Sequence, residues 1–462
     1  MTGSARLQSN RLILATITVL FLLTALLLIT TGSTGAQDNS PATSTPIPTT
    51  GIDELHEAQL RGVEQQVSAL RELPPPENLA RVGYGPGPLL AWVEQDYATY
   101  GAEDAHEDLL FYTAFGLMPE ETDLLAIAQQ MATSRMATFY DPETDTMRVQ
   151  YTTAPLNSVE QILYADAYTY ALQDANFEIS RQIEEAIEAG NDDLALALQA
   201  FRTGDARLSA LLYGNSLLET DPEAQLELLQ AAYRMGSYTA ESWPEAPPVL
   251  SAEIQLAVDD GLHFVEFLYG DGDWGPVNNA YLVDPPLSTE HILHPKRYLE
   301  YDLPLRVELR PLSLGQLAEW TGQNDWQLVK EGTLGEFYLR QHLRIFFNVD
   351  EVNQLASGWG GDSFMLYHSA TANAPLLIWE LVWDTPEDAT EFNFRYGAFV
   401  SLWLSTVAED PGASVPCWEG LEQTACLSPG LRSTLVVLAP NAEIARQIID
   451  HQQDPDRIRI FG

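Results

Sequence analysis

Apolar residues recur at a helical period through the first half of the chain. Ile52, Leu55, Val63, Val67 and Leu70 share one face, and Pro74, Pro75 and Pro76 end the helix they predict. Further helices are expected over 89–100, 105–115 and 119–136. Asp141 to Asp145 reads as a turn between the apolar 136–140 and the alternating 146–151, which predicts a small hairpin. Ser158 followed by Gln161 fits a capping box opening a helix over 159–176. A second helix over 178–189 closes at Gly190 and Asn191. Asp192 caps a third, and Gly204 and Asp205 sit near the start of a fourth that runs to Tyr213.

The second half changes character. Residues 251–269 read as helix, followed by a Gly/Asp turn at 270–273. Beyond about Asp302 the pattern is mixed. Strands are expected at 364–368, 375–383 and 433–438, with helices from about Asp384 to Ser405 and over 442–451. No fixed-period repeat is present. The layout is α+β: a mostly helical domain over 52–301 and a smaller α+β domain over 302–462.

The residues before 52 do not belong to that layout. Arg6 and Arg11 precede an uncharged apolar run from Leu12 to Thr31, long enough to span a bilayer as a helix. The positive flank stays inside, so the bulk of the chain is expected outside the cytoplasm. Uncut, residues 1–36 form a single-pass anchor in the cell membrane; a cut after Ala36 gives a secreted protein. Residues 37–51, rich in Ser, Thr and Pro, form a linker.

Charge narrows the partners. The chain has 66 acidic and 23 basic residues, a net charge of −43, so no basic surface is expected for nucleic acid. Aromatics at 10% exclude a disordered acidic chain. The two cysteines, Cys417 and Cys426, lie nine residues apart, and in an exported protein this spacing reads as a disulfide.

The segment Leu163-Tyr-Ala-Asp-Ala-Tyr-Thr-Tyr-Ala-Leu-Gln-Asp-Ala-Asn-Phe177 resembles the active helix of small exported zinc metallopeptidase-like proteins of the gluzincin type. In that family an HExxH helix continues into Ala-Leu-Gln-Asp. Two His at i and i+4 bind zinc, the Glu between them polarises the metal-bound water, and an acid from a following helix completes the set. Ala280 to Pro295, Leu334-Gly-Glu-Phe337 and Gly358-Trp-Gly-Gly-Asp362 are similar to later landmarks of the family, as are Ala114 to Pro119 and Phe139 to Asp145. Aligned on Ala171 to Asp174, the two His positions fall on Asp166 and Tyr170 and the Glu position on Ala167. The downstream acid motif falls on Thr203-Gly-Asp-Ala206, with Thr203 at the third-ligand position. The motif is degenerate: Ala167 has no proton-transfer chemistry and a tyrosine is a poor zinc ligand at neutral pH. Asp205 survives as an acid, and its bland reading is capping of a helix N-terminus.

Other candidates are weaker. His291 and His294 lie three apart without an identifiable third ligand, and Ser288 before them reads as an N-cap. His106-Glu107 lacks the second His of a zinc motif, and the Gly270–Gly275 run lacks the acid spacing of a calcium loop. Tyr168 stands beside the motif as a possible cleft residue with His291 and His294. The expected protein is therefore a pseudo-metallopeptidase without a resident cofactor, binding an unidentified peptide, glycan or protein or acting structurally. The alternative is an active zinc hydrolase with a displaced set: Asp166, Asp205 and a His from 291–294.

Overall fold

The computed structural model describes residues 51–84, 102–127, 138–150, 155–221, 223–228, 247–372 and 374–453. It is α+β, a helical region followed by a sheet domain. The membrane-targeting segment, the linker up to residue 50 and the helix expected over 89–100 lie outside the described residues. Among the described residues no helix is long and apolar enough to cross a membrane.

Helix α1 (Glu54–Arg71) opens where Asp53 accepts from the His56 amide at 2.9 Å. It ends at Glu72, whose φ of 59° breaks the helix ahead of the prolines. Strand β1 (Ala80–Tyr84), helix α2 (Ala102–Ala114) and the hairpin of β2 (Thr138–Asp141) and β3 (Thr146–Gln150) follow. They give a three-stranded sheet of order β1-β3-β2.

Helix α3 (Ser158–Phe177) carries the degenerate motif. Its capping box lies one residue earlier than the sequence suggested: Asn157 accepts from Val159 and Glu160, and Glu160 accepts from the Asn157 amide. Ser158 is released to donate its amide to Glu227 at 2.8 Å. After α4 (Ile179–Glu188) comes α5 (Asp192–Thr220), one continuous helix where two were expected. Its N-cap is Asn191, accepting from the Leu194 amide, and Asp205 lies mid-helix, so it caps nothing. Helix α6 (Pro248–Gln255) runs through a π turn (Leu256–Asp260) into α7 (Gly261–Gly272), and α8 (Trp274–Leu282) follows. Gly204 and Gly261 let α5 and α7 cross at backbone contact: a Cβ on Gly204 would lie 2.1 Å from the Gly261 carbonyl oxygen.

Short helices α9 (Thr289–Leu293) and α10 (Pro295–Leu299) lead to α11 (Leu314–Thr321) and the sheet domain. Strands β4 (Gln327–Gly332), β5 (Trp359–Ser369), β6 (Ala374–Trp383), β7 (Cys417–Glu419), β8 (Thr424–Pro429) and β9 (Ser433–Ala439) form an antiparallel sheet of order β4-β5-β6-β9-β8-β7. Helices α12 (Gly335–Leu343), α13 (Val349–Ala356), α14 (Pro386–Trp403) and α15 (Ala442–Gln453) pack around it. The central strands β6 and β9 read as nearly continuous apolar runs because both faces are covered. Phe364, Leu366, Trp379 and Leu381 face the core shared with the helical region, while Met365, Tyr367 and Ile378 face α11 and α15. Phe115 after α2 sits edge-on against Phe364 at 5.5 Å, so the main core continues across residue 301. Cys417 and Cys426 face each other across β7 and β8 and are disulfide-bonded.

Candidate functional site

The helical period places Asp166 and Tyr170 on one face of α3, toward α5. Tyr170 donates its hydroxyl to Thr203 Oγ1 at 3.2 Å, and the Arg202 guanidinium lies 4.6 Å from its ring centroid. Arg207 Nη1, one turn along α5 from Thr203, stands 3.4 Å from Asp166 Oδ1, a buried oxygen without a hydrogen-bond donor. Burial pushes the Asp166 carboxyl up, and Arg207 opposes this. Burial and the Asp166 charge push the Tyr170 phenol up as well, keeping it neutral. Three of the aligned positions, Asp166, Tyr170 and Thr203, thus converge, and Ala167 is buried beside them.

The remaining site residues lie elsewhere. Tyr168, two positions on from Asp166, points to the opposite side of α3. It is buried against α1, with its hydroxyl 3.0 Å from Ser68 Oγ and its ring stacked with Tyr164. Asp205 is fully buried and takes both Nε and Nη2 of Arg71, with further bonds from Gln173 and Tyr281. His291 bridges backbone: Nδ1 accepts from the Leu287 amide and Nε2 donates to the Asp302 carbonyl at 2.6 Å. Burial pushes its pKa down, so it stays neutral. Ser288 makes no capping bond, and Thr289 takes the structural role in its place.

That role joins the three later landmark blocks. Thr289 donates both its amide and its hydroxyl to Asp193 Oδ1, at 3.1 and 2.5 Å, and accepts from the Phe337 amide. Gly335, at φ 78°, packs so closely on Asp193 that a Cβ would lie 1.9 Å from Oδ1. Asp362 accepts from the Leu334 and Gly335 amides and from the indoles of Trp359 and Trp379. Burial pushes Asp193 up to about 7, against the Thr289 bonds and with help from the nearby Asp362 and Glu336.

Among the described residues, Glu290, Asp302 and Asp384 form the one trio with donor atoms close enough for a shared metal, within 4.8 Å of one another. Arg297 already occupies it. Its Nη1 reaches the three carboxylates at 2.5, 3.0 and 3.0 Å, and its Nη2 donates to the Ser357 carbonyl. Burial, then the neighbouring Glu336, push Glu290 up to about 9.

Beside this network lies a cavity of about 560 Å³ between the π turn and α12. Its wall includes Gln255, Asp260, His294, Arg340 and Arg344. His294 Nε2 sits 3.0 Å from the buried Glu336 Oε1, which also accepts from Arg340 Nε at 2.7 Å. The sequence offered His294 here and nothing else. The arginines carry no motif, and the only signal for them is cationic side chains in a strongly acidic chain.

Residues 326–449 match a family described as a domain of unknown function (DUF8575). The match begins just before β4 and covers the sheet and α12 to α14, including Glu336, Arg340, Arg344 and Asp362. No curated protein and no solved structure matches the chain.

Proposed function

We propose that this chain is a catalytically inactive, metallopeptidase-like protein held outside the cytoplasm by its N-terminal segment, and that it acts by binding. One observation carries the reading: the positions where the resemblance demands a metal and a base hold groups that face one another or a cation and supply neither a zinc ligand set nor a base. Tyr170 bonds to Thr203, Asp166 faces Arg207, and Ala167 offers no base. These residues do not fit zinc. A neutral phenol and a threonine hydroxyl are poor ligands, and the one carboxylate already has a cation beside it.

The displaced set of Asp166, Asp205 and His294 finds no support. Arg71 saturates Asp205, His294 faces Glu336, and the three do not form a metal-like cluster. The test is zinc content and peptide cleavage by the purified full-length protein, with and without a chelator. The expected result is neither stoichiometric zinc nor chelator-sensitive cleavage; finding both overturns the reading.

A further inference from the structure

The cavity between the π turn and α12 has an uneven wall. Arg340 and Arg344, one turn apart on and just after α12, both open into it. Arg340 is 9% exposed. Its Nε is taken by Glu336 at 2.7 Å and its Nη1 by Asn353 at 2.5 Å. Its Nη2 has His294 Nε2 at 3.4 Å, but that nitrogen already faces Glu336. Glu336, Asn353 and His294 thus fix the guanidinium at the cavity wall, and Nη2, whose neighbour is 3.4 Å away, is the most loosely held of its nitrogens. Arg344 is exposed at the cavity mouth, makes no ion pair with any described carboxylate, and acts by its charge on Asp260 across the wall.

We propose that this cavity binds a small organic carboxylate, with Arg340 and Arg344 taking its oxygens. Its size lies in the range of ligand pockets, and Gln255, Gln341 and Ser357 add neutral hydrogen-bonding groups to the wall. A monoanion fits better than a phosphate dianion, because Asp260 stands on the wall and Glu336 lies behind Arg340. Asp260 is the last residue of the π turn, and such turns recur at functional sites.

The inference rests on the reading that the protein binds rather than cleaves, and the two fail separately. The test is calorimetric titration of the full-length protein with trialanine, trialanine amide, glucuronate and inorganic phosphate. At least one of trialanine and glucuronate is expected to bind at one per chain, and which one does identifies the source of the carboxylate. The amide is expected not to bind. Arg344→Gln is expected to weaken binding about tenfold or more, the effect of one charge-assisted hydrogen bond. Arg306→Gln, on an exposed arginine paired with Glu308, is expected to leave it unchanged. Absence of binding by both carboxylates, equal affinity for phosphate, or indifference to Arg344→Gln overturns the proposal. Chelator-sensitive cleavage of trialanine with bound zinc instead removes the inactive-enzyme reading and leaves the carboxylate site standing.

Discussion

Arg71 clamps Asp205 through two parallel hydrogen bonds, Nε to Oδ1 at 2.7 Å and Nη2 to Oδ2 at 3.1 Å, with both side chains out of contact with solvent. Trp274 lies 4.0 Å below the guanidinium, and Asn278 takes its third nitrogen. The acid that the resemblance leaves intact thus ties α1 to α5. Removing one partner of such a pair strands a buried charge.

Asp205→Ala is accordingly expected to cost about 3–5 kcal/mol in urea unfolding. The double change Arg71→Met with Asp205→Leu is expected to cost less than either single truncation, because no charge is left unpaired. An unchanged midpoint for Asp205→Ala sinks this account of why an acid stands there.

The crossing of α5 and α7 gives a second expectation. Gly204→Ala places a Cβ against the Gly261 carbonyl and is expected to destabilise by about 1–3 kcal/mol through forced separation of the helices. Gly62→Ala, on the exposed side of α1 with nothing within 4 Å, is expected to stabilise by up to about 1 kcal/mol through helix propensity alone. Equal effects at the two sites contradict a packing role for Gly204.

Gly204 also shows where the sequence misleads. Its poor helix propensity, beside an acid that suits an N-terminus, suggested a helix boundary, and tertiary packing overrode both. Periodicity located the long helices, while capping was misplaced by one residue at Asn157 because Ser158 and Gln161 fit the same pattern. β4 and the short β7 and β8 were missed because β4 is half-exposed and mixed in polarity, and β7 and β8 are too short to show a period. At the site, the i, i+4 register of Asp166 and Tyr170 was legible, and the alignment paired their helix with Thr203, to which Tyr170 bonds. The same rotation argues against Tyr168 as a cleft residue. The Arg297 hub and the Arg340 and Arg344 wall were not legible, since each joins residues that only the folded chain brings together.

The convergence of positions 166, 170 and 203 is open to a direct trial. Asp166→His, Ala167→Glu, Tyr170→His and Thr203→Glu together supply the full ligand and base set on the existing backbone. The expected outcome is one zinc per folded chain, measured by elemental analysis after dialysis. Arg207→Ala is included as a second background, because its charge disfavours a cation near residue 166. A folded variant that takes up no zinc in either background removes the zinc-site resemblance as an account of these positions.

Asp193 and His342 oppose one another in their pH dependence, and the opposition can be separated. His342 is buried, with Nδ1 donating to the Phe115 carbonyl and Nε2 accepting from Tyr396, and burial pushes its pKa down to about 4. Its contribution is present above the unfolded value of about 6.5 and is lost as pH falls toward 4. Asp193 has a raised pKa of about 7, so its contribution is full below the unfolded carboxylate range and is lost as pH rises through 7. Between pH 4 and 6.5 the two partly cancel, so a nearly flat wild-type profile carries no information about either. Asp193→Asn isolates the acid: the amide oxygen still accepts both Thr289 bonds, which converge on Oδ1, and the His342 contribution is common to both proteins. The variant is expected to gain stability over the wild type as pH rises from 4 to 7 and to level off above that. At 1.36 kcal/mol per pKa unit the plateau is on the order of 4 kcal/mol. A difference that stays flat across pH 4 to 8 in paired urea titrations shows that Asp193 ionises as freely in the folded protein as in the unfolded chain, and the buried junction of the three sequence blocks then needs another explanation.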